Sequence, residues 1–436
     1  MINIRYLPII VNIRQKIPHS LVNRFKHFPI AILANIVYGW PASKLTVIGV
    51  TGTKGKTTTA IFLYHLLKQA GYKVGLISTI AARIGNQEID TGFHVTAPDH
   101  FPLQALLKRM VDKGLNYVVL EVTSHGLEQY RFWGINFTMG IITNVASDHL
   151  DYHGTWTKYL LAKAKLFSKT KFAILNVEDK SYRYLKDIVA GRVVTYGIKL
   201  GDFNLRNCSF VLPVNDDFNK LNLLAAIKAA QLLGLGDSQI RHSLTDLALP
   251  RGRMEIMQEE PFLVIIDFAH TPQSLEAALK SLHQQVGRKG KLMAVFGCAG
   301  ERDPGRRKMG KVAAQLADIT IITAEDPRTE GVKKISAEIA AWVKKGGAKE
   351  ATLSNIAKYK RGFFVRIDDR EEAIKQALKM ARSGDVVGIF GKGHERSMCY
   401  GRIEYPWSDQ KVVKGFLGKE VPDSSHTVKI KNLMIY

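Results

Sequence analysis

The stretch that decides the fold runs from Leu45 to Ala60 and reads LTVIGVTGTKGKTTTA. A β-branched, apolar run ends in glycines, a Gly-Lys-Thr follows, and the next residues favour a helix. Gly52 and Gly55 would let the backbone approach a phosphate closely. Lys56 can reach the β- and γ-phosphates, and the Thr57 hydroxyl can bind Mg²⁺. The stretch predicts a strand, a phosphate-binding loop and a helix, with ATP and Mg²⁺ as ligands.

The spacing of this loop differs from the common G-x-x-x-x-G-K-T pattern, because position 50 is Val rather than Gly. A glycine-rich turn with an incidental lysine is the alternative interpretation. The position of Gly-Lys-Thr between a strand and a helix favours a nucleotide site, since a helix N-terminus attracts anions.

Short β-rich runs alternate with helical patterns from about residue 44 onward, which predicts an α/β fold with parallel sheets covered by helices. The segments Thr58–Ala70 and Ser336–Lys345 are interpreted as amphipathic helices. We predict three regions: a short basic N-terminal segment (1–44), a central ATP-binding domain (45–250) and a Rossmann-like C-terminal ligase domain (251–436). The runs interpreted as strands are KLTVIGVT, KVGLIST, NYVVLEVT, MGIITNV, KFAILNV, FLVIIDFA, KLMAVFG, DITIITAE and DVVGIFG.

The composition favours anionic partners. The chain has 436 residues with 62 Lys and Arg against 39 Asp and Glu, a formal net charge of +23. No nucleic-acid-binding signature accompanies this charge, so nucleotides, carboxylated substrates or an anionic membrane surface are favoured. The three cysteines form no CxxC pair and predict neither a disulfide framework nor a zinc site. No apolar run is long enough for a membrane span and no signal-peptide pattern occurs, so a cytoplasmic, monomeric protein is expected.

A second group of polar residues follows the predicted strands. Glu121 ends one strand, and a cluster containing His149 and His153 follows the next. Lys163 falls on a helix shortly afterwards. Carboxylate and imidazole groups at strand ends beside a phosphate loop are candidate Mg²⁺ ligands. Hydrogen-bonded loop residues are the alternative interpretation. The rest of the cluster comprises Asp148 and Asp151.

The loop T-G-T-x-G-K-T resembles the Mur ligase superfamily, ATP-dependent amide-forming enzymes that include the peptidoglycan stem-peptide ligases and the folylpolyglutamate synthases. Further motifs, from about Tyr38 to Asp409, resemble the branch that adds the third residue of the stem peptide, the UDP-N-acetylmuramyl-tripeptide synthetases. These motifs are SHGLEQYR, DHLDYHG, FNKLN, GRME, DFAHTP, GERD, DPRTE and GKGHE.

The resemblance implies a set of nucleotide and metal contacts. Two Mg²⁺ ions would be held by Thr57, Glu121, His149 and Lys163, with Lys163 carbamylated; a surface lysine in a salt bridge is the alternative. Lys56, Lys163, His149 and Arg253 would be catalytic. The residues implied to bind ATP are Gly52, Thr53, Lys54, Gly55, Lys56, Thr57, Thr58, Asn219, Asn222, Arg253, Asp267 and His270. For His270, a core histidine bonded to backbone is the alternative.

The resemblance also implies where the acceptor and the amino acid bind. The acceptor would contact Thr96, Ala97, Thr123, Gln129 and Arg131, although Ala97 stands where a second Thr is frequent. The amino acid, expected to be meso-diaminopimelate, would contact Arg302, Asp326, Pro327, Arg328, Gly391 and Glu395. A guanidinium can pair with the distal carboxylate of that substrate. Asp326 stands where the family has Asn, and would add negative charge near that carboxylate.

The implied activity is ATP-dependent ligation of the third amino acid to a UDP-muramyl-dipeptide acceptor through an acyl phosphate. Residues 1–44 would be a reduced UDP-binding domain, about half as long as is usual. We expect this segment to bind the pyrophosphate, to lie on an anionic membrane, or to cap the central domain. Two other functions stay open: a Mur-type ligase for a different acid, such as a polyglutamate or a lipid-linked glycan-peptide, and a non-catalytic cell-wall scaffold.

Overall fold

A computed structural model describes residues 19–89, 97–146 and 150–418 of the chain. The chain divides between Ala248 and Leu249 into two compact units. Each unit is built on its own mainly parallel sheet. The α/β class predicted from the alternating sequence patterns is confirmed, while the division into three functional regions stays a prediction.

The first unit is built on a sheet with the order β4-β3-β2-β5-β1-β6-β7-β8. The strands from β2 to β8 in this order pair in parallel, while β3 and β4 are antiparallel additions at one edge. The carboxyl ends of β1, β5 and β6 therefore meet at one edge of the sheet. The strands are β1 Thr46–Thr51, β2 Val74–Ile77, β3 Ala82–Ile84, β4 Gln87–Ile89, β5 Tyr117–Glu121, β6 Phe137–Ile142, β7 Phe172–Asn176 and β8 Arg192–Tyr196.

Helices pack on both faces of this sheet. They are α1 His19–Val22, α2 Phe28–Tyr38, α3 Lys56–Gln69, α4 His100–Asp112, α5 Ser124–Glu128, α6 Leu150–His153, α7 Trp156–Ala164, α8 Tyr182–Leu185, α9 Asp217–Leu232 and α10 Asp237–Leu244. A π-helical turn, Asn23–His27, joins α1 to α2. The amphipathic pattern expected for α3 is wrong, because α9 and α10 cover its outer side and nearly every residue from Thr57 to Leu67 is buried.

Helix α2 packs against α4 through small residues. Ala31 and Ala34 are buried, and the buried Asn35 donates hydrogen bonds from Nδ2 to the carbonyls of Ala31 at 2.8 Å and Trp133 at 3.0 Å. The helix is thus fixed to the first unit by small side chains and one amide together with aromatic contacts, because the Phe28 ring packs against Tyr130 and Trp133 and the Tyr38 ring against Phe101.

The second unit contains a sheet with the order β13-β14-β12-β11-β15-β10-β9, parallel except for β9, and a separate β16–β17 hairpin. The strands are β9 Glu255–Gln258, β10 Leu263–Asp267, β11 Leu292–Phe296, β12 Ile319–Ile322, β13 Lys349–Glu350, β14 Phe363–Arg366, β15 Val386–Phe390, β16 Ser397–Tyr400 and β17 Ile403–Pro406. The helices are α11 Pro272–His283, α12 Met309–Leu316, α13 Val332–Lys345, α14 Arg370–Met380 and α15 Asp409–Phe416.

The inner strands of both sheets are mainly apolar, as expected for strands covered on both faces. In β11 and β15 every residue is buried. Polar side chains accordingly collect beyond the carboxyl ends of these strands, where the candidate site residues lie. None of the described helices combines the length and the apolar character that crossing a lipid bilayer requires.

Candidate active site

The predicted phosphate loop occupies Gly52 to Gly55, between the end of β1 and the start of α3 at Lys56. Val50 lies within β1, where it is fully buried and pairs with Glu121 and Ile141. The position that holds the first glycine of the common loop pattern is thus a strand position here, which explains why a side chain is tolerated there.

The two glycines of this loop are required by close contacts. Gly52 has φ +149°, and a Cβ there would collide with the Thr143 hydroxyl. Gly55 has φ +83°, and a Cβ there would collide with the Asn222 side-chain oxygen. Only glycine adopts a positive φ without strain and also lacks the Cβ for which these two positions have no room. The loop is therefore pressed against neighbouring elements on two sides.

Two residues after β6 hold the loop by hydrogen bonds, and the sequence analysis did not assign them a role. Asn144 accepts a hydrogen bond from the Lys54 amide at 3.0 Å and donates one to the Lys54 carbonyl at 3.0 Å. The Thr143 hydroxyl donates to the same carbonyl at 2.5 Å. Both residues lie in the motif ITNVASDHLDYHG, directly after β6, and that position could have indicated a contact with the phosphate loop. The charged residues of the same motif were interpreted instead as metal ligands.

Thr57 and Glu121 form the centre of the predicted metal site. The Thr57 hydroxyl lies 3.0 Å from both carboxylate oxygens of Glu121 and donates its hydrogen bond there. Glu121 is buried at the end of β5, and one of its oxygens also accepts from the Thr79 amide at 2.9 Å. Beside them Lys56 begins α3, and its ammonium donates to the Thr53 carbonyl at 3.0 Å. A hydroxyl and a carboxylate thus face each other at a helix N-terminus.

Lys163 lies inside the unit, so the alternative of a surface lysine is wrong. Its side chain is buried, and its ammonium donates to the Gly52 carbonyl at 2.7 Å. The ammonium also lies 4.3 Å from the ring centroid of Tyr159, whose hydroxyl is 3.2 Å from that of Thr53. Lys163 therefore contacts the phosphate loop directly from α7.

Oxygen ligands at this edge suit a magnesium ion, which prefers hard oxygen donors. Among the described residues no group of three or more His, Cys, Asp and Glu side chains lies close enough to hold a metal by itself. His149 lies outside the described residues. The buried His153 is hydrogen-bonded through Nε2 to the Ser124 hydroxyl at 3.0 Å. Thr57 and Glu121 fit a Mg²⁺ ion whose remaining ligands would include nucleotide oxygens.

The residues predicted to bind the acceptor gather beyond β5. Thr123 accepts a hydrogen bond from the Gly126 amide at 3.0 Å and so caps α5. Arg131 donates to the side chain of Gln129 at 3.0 Å and to the carbonyl of the buried Ala97 at 2.7 Å. Thr96 lies outside the described residues. The structure thus brings Ala97, Gln129 and Arg131 together, and their role in binding the acceptor stays a prediction.

The remaining residues of the first unit that were predicted to bind the nucleotide lie on α3 and α9, next to the phosphate loop. Asn222 accepts from the Thr59 hydroxyl at 3.2 Å, and Asn219 bonds to Asp216 at the start of α9. Both asparagines are buried, as is Thr58. Within the first unit they position the phosphate loop, whereas the sequence suggested an adenine contact or a role in joining domains.

In the second unit, Arg253, Asp267 and His270 lie near the end of β10. Asp267 accepts hydrogen bonds from the amides of Met254 and Ala269, each at 2.8 Å. Burial raises the pKa of Asp267, and the charge of Arg253 opposes that rise. The Arg253 guanidinium lies 4.6 Å from the ring centroid of Phe268. His270 is half-buried and its Nδ1 lies 2.8 Å from the Phe268 carbonyl, so its position also fits a structural histidine.

Asp326 is held by Lys392, which changes the expected charge of the pocket. The Lys392 ammonium lies 2.7 Å from the Asp326 carboxylate and 2.5 Å from that of Glu395. Asp326 also accepts from the Cys399 amide at 2.9 Å. Lys392 and Asp326 are both buried, so the negative charge that Asp326 adds is paired with an ammonium that Glu395 shares. Sequence reasoning missed Lys392, although it lies within the motif GKGHE.

Arg328 lies two residues later, in a backbone of unusual shape. Asp326 has φ +40° and Arg328 has φ +55°, values that non-glycine residues adopt rarely. The Arg328 amide donates to the Cys399 carbonyl at 3.0 Å, and the Arg328 carbonyl accepts from Gly401 at 2.8 Å. The β16–β17 hairpin thus holds this loop, with the buried Pro327 at its centre.

Like charges collect around this loop. Burial, and then the positive charges of Arg328 and Arg306, lower the pKa of the Arg302 guanidinium. Glu325, which the sequence analysis did not select, is buried, and burial raises its pKa to about 8. Its Oε2 has no hydrogen-bond partner among the described residues, and Gly391 adjoins it. Clustered guanidinium groups of this kind attract carboxylates.

Comparison with known proteins identifies the family. The model described as the Mur ligase middle domain matches residues 50–230, and the model described as the Mur ligase, glutamate ligase domain matches residues 252–393. The chain belongs to the Mur ligase family. The first match covers the phosphate loop, Glu121 and Lys163, and the second covers Arg253 to Lys392.

Relatives within the Mur ligase family are similar over most of the chain. A UDP-N-acetylmuramoyl-L-alanyl-D-glutamate–2,6-diaminopimelate ligase of Geobacillus kaustophilus is 37% identical over 88% of this chain and 81% of its own length. A solved structure of a ligase of that name is 30% identical, with a TM-score of 0.59, over 86% of this chain and 78% of the other. The folylpolyglutamate synthase/dihydrofolate synthase of Yersinia pestis, solved with AMPPNP and a Mn ion, is 22% identical with a TM-score of 0.62, over 86% and 95%. The last likeness shows the fold.

Proposed function

We propose that this Mur ligase is an ATP-dependent enzyme that joins meso-diaminopimelate to UDP-N-acetylmuramoyl-L-alanyl-D-glutamate. The names of its relatives, at 37% identity over 88% of the chain, support this substrate pair. The contact between Thr57 and Glu121 carries the proposal on the structural side. Because both groups lie at the N-terminus of α3 beside a glycine loop, they are arranged for a metal-bound nucleotide.

The proposed reaction has two steps. The terminal carboxylate of the acceptor attacks the γ-phosphorus of ATP, which forms an acyl phosphate and releases ADP. The amine of the amino acid then attacks the acyl carbon, the amide forms, an amine proton is lost, and phosphate leaves. Bound Mg²⁺ would neutralise phosphate oxygens during the first step. No side-chain nucleophile is needed, so the residues of this chain act by positioning and by charge.

Each basic side chain has a proposed task. Lys56 at the start of α3 would draw the phosphate oxygens toward the loop, and Arg253 would bind the γ-phosphate. Lys163 would act as a carbamate, with His149 as a further metal ligand. The buried position of the Lys163 side chain supports this role, because its nitrogen lies 2.7 Å from the Gly52 carbonyl and a carbamate there would lie beside the phosphate loop.

The second unit would select the amino acid. Arg328 and Arg302 would bind the distal carboxylate of meso-diaminopimelate, and Glu395 its distal ammonium. Asp326 and Pro327 would shape the loop, and Gly391 would leave space beside it. The lowered pKa of Arg302 beside Arg328 supports this assignment, because two neighbouring guanidinium groups are stabilised when an anion binds between them.

The proposal also covers the roles of the three regions of the chain and a membrane surface as a partner. Residues 1–44 would contribute a reduced UDP-binding region, residues 45–250 the ATP-binding domain and residues 251–436 the amino-acid-binding domain, in a monomer. An anionic membrane surface is a further proposed partner, and helix α2 supplies the argument for it.

The test is an amino-acid panel with UDP-muramyl-dipeptide, ATP and Mg²⁺, with ADP release and product mass as the two readouts. We expect ADP release with meso-diaminopimelate and a product heavier by one such residue. Turnover with lysine alone would contradict the amino-acid assignment. Absence of ADP release with every amino acid and with this acceptor would contradict the proposed function, while a product from another acid would replace the acceptor.

A further inference from the structure

Helix α2 and the turn before it expose several large apolar side chains and bury small ones, although Phe28 and Tyr38 pack against aromatic rings of the first unit. Phe25 is 74% exposed, Ile36 and Val37 are each 59% exposed and Leu33 is 53% exposed. The residues of α2 that are buried are Ala31, Ala34 and Asn35. A helix on the surface of a globular unit normally has the opposite arrangement, with its large apolar side chains toward the core.

The exposed residues form one continuous surface. From Phe25 the exposed positions recur after three or four residues, which places them on one face of the helix. We call this surface the apolar stripe, and it consists of Leu21, Phe25, Leu33, Ile36, Val37 and Trp40. Contiguous apolar surface of this kind marks an interaction site, whereas scattered apolar residues are ordinary.

Positive charge accompanies the stripe. Residues 1–87 contain eleven Lys and Arg and no Asp or Glu. Arg24 and Lys26 lie exposed beside Phe25, and Lys44 is exposed six residues after Tyr38. A surface with exposed large apolar side chains and basic neighbours has the composition of helices that lie in the interface of an anionic bilayer.

We propose that the apolar stripe docks on an anionic lipid surface, with its apolar side chains at the acyl boundary and its basic residues at the headgroups. Charge selects this occupant over two others. A second copy of the chain would bring Arg24 and Lys26 against their own equivalents. Residues 1–18 would add Arg5, Arg14 and Lys16 to a surface that is already positive. Anionic headgroups attract all of these charges.

The experiment is sedimentation of the full chain with vesicles of phosphatidylcholine alone and of phosphatidylcholine and phosphatidylglycerol in equal parts. We expect binding to the anionic vesicles only, and release as salt is added, because salt screens exposed charges. The variant with Ile36→Asp and Val37→Asp should bind the anionic vesicles at least about tenfold more weakly than the unaltered chain. Arg24→Gln with Lys26→Gln should weaken binding about tenfold or more.

A matched control keeps this interpretation specific. Leu200 and Val211 are exposed aliphatic residues of the same unit outside the stripe, so Leu200→Asp with Val211→Asp makes the same chemical change elsewhere. This control should bind the anionic vesicles like the unaltered chain. Circular dichroism and thermal unfolding should show that Ile36→Asp with Val37→Asp is folded like the unaltered chain. Vesicle binding is measured without ATP or substrates, so a failure of the membrane proposal is distinguishable from a failure of the ligase proposal.

Four results would overturn the proposal. The unaltered chain could fail to bind anionic vesicles, or the control could lose binding as strongly as the stripe variant. Sedimentation equilibrium could show a dimer that Ile36→Asp with Val37→Asp dissociates, which would make a second copy the occupant. Hydrogen exchange of residues 28–38 that slows in the full chain relative to a chain lacking residues 1–18, without lipid, would assign the stripe to that segment.

Discussion

The phosphate corner of the first unit consists of the loop 52–55 with Thr57, Glu121 and Lys163. It differs from the proposed amino-acid pocket of the second unit, around Asp326 and Arg328, in how its polar and charged groups are paired. In the first, each key polar group meets a complementary neighbour: Glu121 accepts from Thr57 and Thr79, and Lys163 donates to the Gly52 carbonyl. In the second, Asp326 is paired with Lys392, but burial and then the positive charge of Arg328 lower the pKa of Arg302, and burial raises the pKa of Glu325 to about 8.

The backbones differ in the same sense. The two left-handed residues of the phosphate loop are glycines, Gly52 and Gly55, which adopt that conformation without strain. In the pocket they are Asp326 and Arg328, which do not. A strained backbone conformation is kept only where the surrounding contacts hold it in place. Such conformations are frequent at binding sites. The comparison fits the proposal: the phosphate-binding residues would be organised before their ligand arrives, whereas the charges around Arg302, Arg328 and Glu325 would be balanced by the bound amino acid.

The largest expected effect tests the preorganised corner. Lys56→Ala should abolish ligation, with a loss of about 1000-fold or more in kcat, because no other described side chain replaces its charge at the start of α3. Lys68→Ala is the matched control, since Lys68 is exposed near the end of the same helix. Steady-state ADP release measures both. Turnover of Lys56→Ala near that of the unaltered enzyme would remove the ATP assignment.

Lys163 tests whether the corner needs a modified side chain. Lys163→Ala should lose about 100-fold or more in kcat, and added acetate or formate should restore part of the activity by supplying the missing carboxylate. Lys158→Ala, on the exposed side of α7, should change neither quantity. A carbamate would also add the mass of CO₂ under native conditions. Full activity of Lys163→Ala without added acid would contradict the carbamate role.

Arg328 tests the ligand-balanced pocket. Arg328→Ala should cost roughly 2–4 kcal/mol of transition-state stabilisation for meso-diaminopimelate, because the distal carboxylate would lose a charged partner. Lysine lacks that carboxylate and should be affected much less. The measured quantity is the ratio of kcat/KM for the two amino acids, with the exposed Arg382→Ala as control. An unchanged ratio would exclude Arg328 from the specificity of the pocket.

The last prediction concerns stability and Glu325. Its pKa rises from an ordinary 4.5 to about 8 on folding, through burial. Below pH 4.5 both states are protonated, and between 4.5 and 8 the unfolded state loses its proton first, so this residue's contribution to stability falls as the pH rises. Glu325→Gln should remove that dependence, worth a few kcal/mol, whereas the exposed Glu259→Gln should leave it. Denaturant titrations from pH 5 to about 8.5 compare the slopes. Parallel curves for Glu325→Gln and the unaltered chain would contradict the burial effect.

The sequence predicted the fold because its inner strands are long apolar runs. Each of the nine predicted runs overlaps an observed strand, from Val47 in β1 to Ile389 in β15. The shorter β13 and β14 and the β16–β17 hairpin lack such a signal. The outer face of α3 was predicted to face solvent, since local periodicity does not show that α9 will cover it.

The site was predictable where a motif places its residues consecutively, and not where distant segments meet. Lys56, Thr57 and Glu121 follow from strand ends and a phosphate loop. The pairing of Asp326 with Lys392, 66 residues apart, does not. A carboxylate at position 326 therefore appeared as free charge in the sequence and is an ion-pair partner in the structure. The expected roles of His149 and Thr96 stay predictions.

The contact between Asn222 and the phosphate loop determines when, during synthesis of the chain, the first unit can bind its nucleotide. Thr59 and Asn222 are bonded although 163 residues separate them in the chain. Closing so long a segment is slow compared with forming a local helix. During synthesis, residues 45–70 leave the ribosome long before α9 does. Nucleotide affinity should thus arise late in translation, when α9 emerges and docks behind the loop.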